Sequence, residues 1–186
     1  MKLLVSPRDL EEAKAVIRGN ADIVDVKNPK EGSLGANFPW VIRSIKELVE
    51  KEGGNGMKMS AAIGDFHYKP GTASLAALGA ASVGADYIKI GLFKIKTREE
   101  AIDLLSGVVK AVKGFDPTKK VVSAFYSDYK RINSISPFEI AEIGKEVEID
   151  VSMVDTGIKD GKTTFEFLSE DELTTFVSES KALGLE

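Results

Sequence analysis

The sequence predicts an α/β fold, a TIM (β/α)8 barrel of which six βα units fall within the 186 residues. The first observation behind this is alternation. Short apolar runs and helical patterns follow one another every 25 to 30 residues or so, the spacing of successive right-handed βα units around a parallel sheet. The second is that the runs are short and apolar on both parities, as strands covered by helices are. The third is the placement of polar residues: Ser6, Lys27, Asp65, Lys89 and Asp155 stand at or near the C-terminal ends of successive runs. Barrel enzymes build their sites at that end from several strands, whereas an open doubly wound sheet, the competing architecture, concentrates ligand groups at one switch point. The spread favours the barrel.

Lys2 to Val5 is the first strand candidate, ending at Ser6-Pro7. Asp9 or Ser6 can cap the helix that follows, where Leu10, Ala13, Val16 and Ile17 recur at helical spacing. Gly19-Asn20 turns the chain into Ile23-Val24 and the Asp25/Lys27 strand, which breaks at Asn28-Pro29. Asn37-Phe38-Pro39 opens a helix through Trp40, Ile42, Ile45 and Leu48, and the glycines at 53, 54 and 56 make a connection too short for a domain linker. Met57 to Ile63 is a third strand, followed by a loop through His67 and a helix of small residues from Thr72 to Ser82. Tyr87 to Leu92 and Lys120 to Tyr126 are strands four and five, separated by a helix over 97–112. Pro137 to Val147 is predicted helical, Ile149 to Val154 is the sixth strand, and a last helix over 169–183 is capped by Ser169 with Glu172.

A closed barrel of this type needs eight units, and the chain reaches Gly184-Leu185-Glu186 where a seventh strand would begin. We expect a single barrel domain over 1–186, incomplete at its C-terminal end, since an open barrel would expose strand edges. With 43% hydrophobic residues the chain can bury a sizeable core. A net charge of −4 gives no electrostatic footprint for nucleic acid. Without cysteine there are no disulfides, no thiolate catalysis and no cysteine-based metal centres, which fits a reducing cytoplasm. No apolar stretch reaches bilayer length, so no membrane partner is expected. A homo-oligomer is compatible with the sequence, which specifies no stoichiometry.

The chemistry-bearing residues are the lysines. Lys27 and Lys89 lie within apolar strands on the parity expected to face the barrel interior. Burial and mutual repulsion both favour the neutral amine, and a neutral lysine can attack an aldehyde or ketone to form a Schiff base. Asp25 and Asp155 stand where carboxylates would shuttle protons. The plainer reading is a buried Lys–Asp network that holds the interior together. Lys159, just past the sixth strand, is a phosphate ligand, a third amine or a solvated loop residue.

Other signals are weaker. Gly157 to Thr163 has three residues between its glycines where a P-loop needs four, and no helix follows. The glycines at 32, 35 and 71, with Thr72, can offer N–H groups to a phosphate or be plain turn residues. His67 is the single histidine and has no partners at metal-ligand spacing, so no metal and no cofactor is expected. It reads as a loop residue near the rim, and Trp40 and Phe125-Tyr126 as core or rim packing.

Several blocks together resemble the (5-formylfuran-3-yl)methyl phosphate synthase family of methanofuran biosynthesis. They are Val5-Ser6-Pro7, the stretch from Ala21 to Trp40 containing Asp25-Val26-Lys27-Asn28-Pro29-Lys30-Glu31-Gly32-Ser33-Leu34-Gly35, Tyr68 to Thr72, Gly84 to Leu92, and Asp155 to Thr163. The resemblance runs in order along essentially the whole chain. It implies a metal-independent TIM-barrel lyase, similar to class I aldolases, that combines two molecules of glyceraldehyde 3-phosphate with loss of phosphate and water. It implies Lys27 as the Schiff-base lysine, Lys89 as an acid/base, and Asp25, Asp155 and Lys159 as the remaining active-site positions. Two further strands with glycine-rich phosphate contacts belong to the same expectation and are absent from these residues. Another Schiff-base aldolase, or a barrel that only binds phospho-sugars, are the alternatives.

Overall fold

The structure is a computed structural model and describes residues 2–186. Six parallel strands, β1 (Leu4–Val5), β2 (Ile23–Val26), β3 (Lys58–Asp65), β4 (Tyr87–Gly91), β5 (Lys120–Tyr126) and β6 (Val151–Asp155), lie in sequential order in one sheet. Each strand is hydrogen-bonded in parallel to the next. A doubly wound sheet reverses its strand order at a switch point, and this one does not. The six units form a partial barrel; the eight-unit barrel expected from the sequence is represented by six. Beyond β6, Glu186 N–H donates to Asp150 O at 3.1 Å and Ser152 N–H donates to Glu186 O at 3.1 Å, the two hydrogen bonds of a parallel bridge.

The connecting helices are α1 (Leu10–Arg18), α2 (Pro39–Glu52), α3 (Pro70–Ser82), α4 (Arg98–Phe115), α5 (Tyr129–Ile132), α6 (Ile140–Glu146) and α7 (Glu170–Ala182). Asp9 caps α1, accepting from Glu12 N–H at 2.9 Å. Ser6, the alternative cap, turns inward instead. Ser169 and Glu172 form the expected reciprocal box at the start of α7. Proline supplies the first turn of α2 and α3, where its missing N–H costs nothing. The region predicted as one helix over 137–147 is a short 3-10 turn, Pro137–Glu139, running into α6, with α5 folded ahead of it. Among the described residues, no helix is long and apolar enough to cross a membrane.

Strand parity separates two cores. Val24, Val26, Met59, Ala61, Ile63, Ile88, Ile90, Val121 and Phe125 point outward and pack with Ile45, Leu104, Leu105, Val108 and Phe176 of the helices. The opposite parity contributes Ala62, Ala124 and Tyr126 to a smaller interior cluster, which Ile132 of α5 joins, around Leu34. Phe125 and Tyr126, adjacent in sequence, thus serve different cores. Trp40 joins neither. It is 66% exposed, stacked on Phe38 with ring centroids 4.6 Å apart, which corrects the expectation of core or rim packing.

Leu34 comes from the loop after β2 and not from a strand, yet it is fully buried in the barrel mouth. Room for it comes from small residues: Ala62, Ala124 and Gly91, where an added Cβ would lie 3.0 Å from Leu34 Cδ1. Truncating a fully buried leucine leaves a void as well as losing transfer free energy. Leu34→Ala is therefore expected to lower stability by about 2–5 kcal/mol in urea unfolding.

Candidate active site

β2 places Asp25 on the inward parity, Lys27 follows one residue past its end on the same parity, and β4 does the same for Lys89. Asp25 is fully buried and Lys89 is 2% exposed. Lys89 Nζ donates to Asp25 Oδ2 at 2.5 Å, and Ser6 Oγ donates to the same oxygen at 2.8 Å. The carboxylate of the Asp25/Lys27 stretch therefore pairs across the sheet with Lys89, not with its neighbour on the strand. Lys89 is thus not a buried amine facing only another positive charge. Burial pushes the Asp25 carboxyl up, but the Lys89 ammonium, with the Ser60 and Ser6 hydroxyls close by, outweighs it and holds the group below the usual carboxylate range. Asp25 Oδ1 is buried and accepts no hydrogen bond among the described residues.

A second cluster closes over the end of β6. Lys159 Nζ donates to Asp155 Oδ1 at 2.6 Å and to Thr156 Oγ1 at 2.9 Å. Ser33, in the β2 loop, donates to Thr156 O at 2.8 Å and lies 3.2 Å from Asp155 Oδ2. The sheet is curved enough for the loop after its second strand to touch the end of its sixth. Burial raises the Asp155 carboxyl, and the Lys159 ammonium, the Thr156 N–H and the Lys27 charge together hold it lowered. Lys27 thus sits within electrostatic reach of Asp155. Among the described residues, Lys27 forms no ion pair, unlike Lys89 and Lys159.

Two aspartates shape the loops that carry these groups. Asp128 is buried and accepts from Gly157 N–H at 2.6 Å and Ile158 N–H at 3.0 Å, which fixes the start of the loop bearing Lys159. Asp65 accepts from Leu34 N–H at 3.1 Å and from the Tyr126 phenol. In the sequence Asp65 is marked only as a strand-end acid and Tyr126 only as core or rim packing, and no signal marks a role for Ser33 or Asp128. His67 stacks on Phe93 with ring centroids 6.0 Å apart, and Phe93 in turn meets the edge of Tyr126, which places the histidine at the rim. No group of three His, Asp or Glu among the described residues is arranged to hold a metal ion. The apolar groove between α2 and α3, lined by Pro39, Ile42, Leu75 and Ala80, holds no titratable group, so chemistry and not concavity locates the site.

Residues 3–186 match the family model described as 4-HFC-P synthase. The chain belongs to that family. A (5-formylfuran-3-yl)methyl phosphate synthase from Methanosarcina acetivorans is 63% identical over the whole chain, which spans 78% of that relative's length. The enzyme of the same name from Methanocaldococcus jannaschii is 53% identical, again over the whole chain and 77% of its own length. Among solved structures, deoxyribose phosphate aldolase from Aeropyrum pernix superposes with a TM-score of 0.63 at 16% identity, over 99% of this chain and 72% of the aldolase. The putative copper homeostasis protein CutC from Streptococcus agalactiae gives 0.66 at 13% identity, over 100% of this chain and 86% of its own. At such identities the superpositions speak for the fold alone. The family assignment rests on sequence.

Removing one partner of a buried ion pair leaves an uncompensated charge. Lys89→Met is therefore expected to destabilise the protein by about 3–5 kcal/mol, and Asp25→Asn combined with Lys89→Met to recover much of the loss, measured by urea unfolding. The pH dependence follows from the directions above. Asp25 and Asp155 have folded values below their unfolded ones, so their contributions are fully present above the ordinary carboxylate range and disappear as pH falls through the lowered folded values. The unfolding midpoint should stay flat from neutrality down to about pH 5 and fall below it, less steeply in the double variant.

Proposed function

We propose that this protein is a (5-formylfuran-3-yl)methyl phosphate synthase: a Schiff-base lyase of the carbon–oxygen class, acting on phosphates, that condenses two molecules of glyceraldehyde 3-phosphate for methanofuran biosynthesis in the cytoplasm. Atom balance requires release of one phosphate and two waters. The observation that carries the reading is the contrast among the site lysines. Lys159 and Lys89 are each committed to a carboxylate at 2.6 and 2.5 Å, whereas Lys27 has no such partner among the described residues. An amine that must lose a proton and attack a carbonyl is hindered by a tight ion pair, and of these three lysines Lys27 alone is free of one among the described residues.

In this scheme the Lys27 amine adds to one aldehyde and loses water to give the iminium. Removal of the proton on the adjacent carbon gives an enamine, which attacks the second aldehyde. The unpartnered Oδ1 of Asp25 offers a lone pair for that proton, with Lys89 behind it to stabilise the carboxylate and return a proton later. Asp155 and Lys159 close the other side, where an ammonium can accompany a departing phosphate and a carboxylate can assist dehydration of the ring. The route needs no metal, because the imine itself activates the carbonyl carbon.

Borohydride added during turnover of glyceraldehyde 3-phosphate is expected to fix a covalent adduct on Lys27, seen by intact mass and peptide mapping, and Lys27→Arg should abolish it. Arginine keeps the charge but cannot form the imine. An adduct that persists in Lys27→Arg would sink the assignment. Binding of the phosphorylated substrate with no adduct and no furan chromophore would instead favour a barrel that only binds phospho-sugars.

A further inference from the structure

The residues 28–35, which follow Lys27 directly, form a closed loop. Its base is tied by Asn28 N–H donating to Gly35 O at 2.8 Å, and Glu31 N–H donates to Asn28 O at 3.0 Å. Its tip turns down into the barrel, where one carboxylate collects two donors from different parts of the fold. Asp65, at the end of β3, takes the Leu34 N–H on one side and the Tyr126 phenol, from β5, on the other. Space for this meeting is reserved by glycine. A Cβ on Gly32, whose φ is +135°, would lie 2.2 Å from Asp65 Oδ2, and one on Gly91 would lie 2.7 Å from Asp65 Oδ1 and 2.1 Å from the Tyr126 hydroxyl. Burial and the Asp65 charge push the phenol's pKa up, so it remains a donor.

We propose that Asp65, with Tyr126 behind it, is the positioning residue of this site: by holding Leu34 N–H it fixes the neighbouring Ser33, and so sets the separation between the Lys27 wall and the Asp155–Lys159 wall. Ser33 spans the mouth through its hydrogen bond to Thr156 O at 2.8 Å, with Asp155 Oδ2 3.2 Å from the same hydroxyl. Asp65 itself touches no group assigned to the chemistry, so it acts through the loop. The proposal rests on the reading of Lys27 as the reacting amine.

The test compares Asp65→Asn and Tyr126→Phe with the wild type by amide hydrogen exchange, steady-state kinetics with glyceraldehyde 3-phosphate, and borohydride trapping. A carboxamide can accept from one of the two donors but presents its own N–H to the other. Asp65→Asn should raise exchange at residues 33–35 by at least about tenfold, against a free-energy scale of 1.4 kcal/mol per decade, while amides of β4 and β5 keep wild-type rates. A displacement on the order of 1 Å is enough to lower kcat by about 10²-fold, with KM little changed. Tyr126→Phe should act in the same sense and more weakly. Should Asp65→Asn not fold, Tyr126→Phe, which removes a single oxygen, decides the matter. Unchanged exchange at 33–35, exchange raised equally throughout the molecule, or a loosened loop with undiminished kcat would each overturn the proposal. If the wild type traps no adduct, the imine reading fails by itself, and the exchange data alone judge whether Asp65 holds the loop.

Discussion

A buried lysine must either lose its charge or face a carboxylate, and the Asp25–Lys89 pair is how this fold meets that constraint. The pair joins β2 to β4 through the barrel interior, past the β3 strand that lies between them. It places an acid and an ammonium in contact at the floor of the site, and it leaves Lys27, on the same strand face as Asp25, without a counter-ion of its own. The inequality between the two strand lysines follows from that single choice of partner. Had Asp25 paired with its strand neighbour, Lys89 would be the uncompensated group in the deepest part of the sheet.

The alternation of side chains along each strand then divides the work. Outward positions are apolar except for Ser123 and Ser152 and belong to the helix layer, so stability comes chiefly from there. Inward positions around the site are mostly small or polar: Ser60, Ala62, Gly91 and Ala124, with Met153 level with Ala124 and Tyr126 nearer the mouth. A barrel interior of this kind would be under-filled if it relied on its strands alone. The β2 loop fills it from above with Leu34 and, one residue away, ties itself to the end of β6. Filling the core and spanning the active site are thus done by adjacent residues of one loop.

Much of this was legible in the sequence because parity and strand ends are local features. Asp25, Lys27, Lys89 and Asp155 can be put on inward-facing strand ends by counting residues, and the sequential winding follows from the spacing of the βα units. What could not be read is pairing across the sheet. Asp25 has Lys27 two residues away and Lys89 sixty-four residues away, and only the register of β2, β3 and β4 decides between them. The burial of Leu34 was hidden for a similar reason, since a leucine between glycines in a loop carries no periodic signal. The helix expected over 137–147 opens instead as a 3-10 turn at Pro137 and is α-helical only over Ile140–Glu146, with α5 a separate turn ahead of it.

Leu34 has one more consequence. In most barrels the interior layers are made of strand residues, so changing the volume of the cavity means rebuilding the sheet. Here the residue that occupies the mouth hangs from a connecting segment anchored at Asn28 and Gly35. Cavity size is therefore encoded in a loop and not in the sheet, and loop exchange between family members would change the room above the lysines, together with the Ser33 span, without altering any strand.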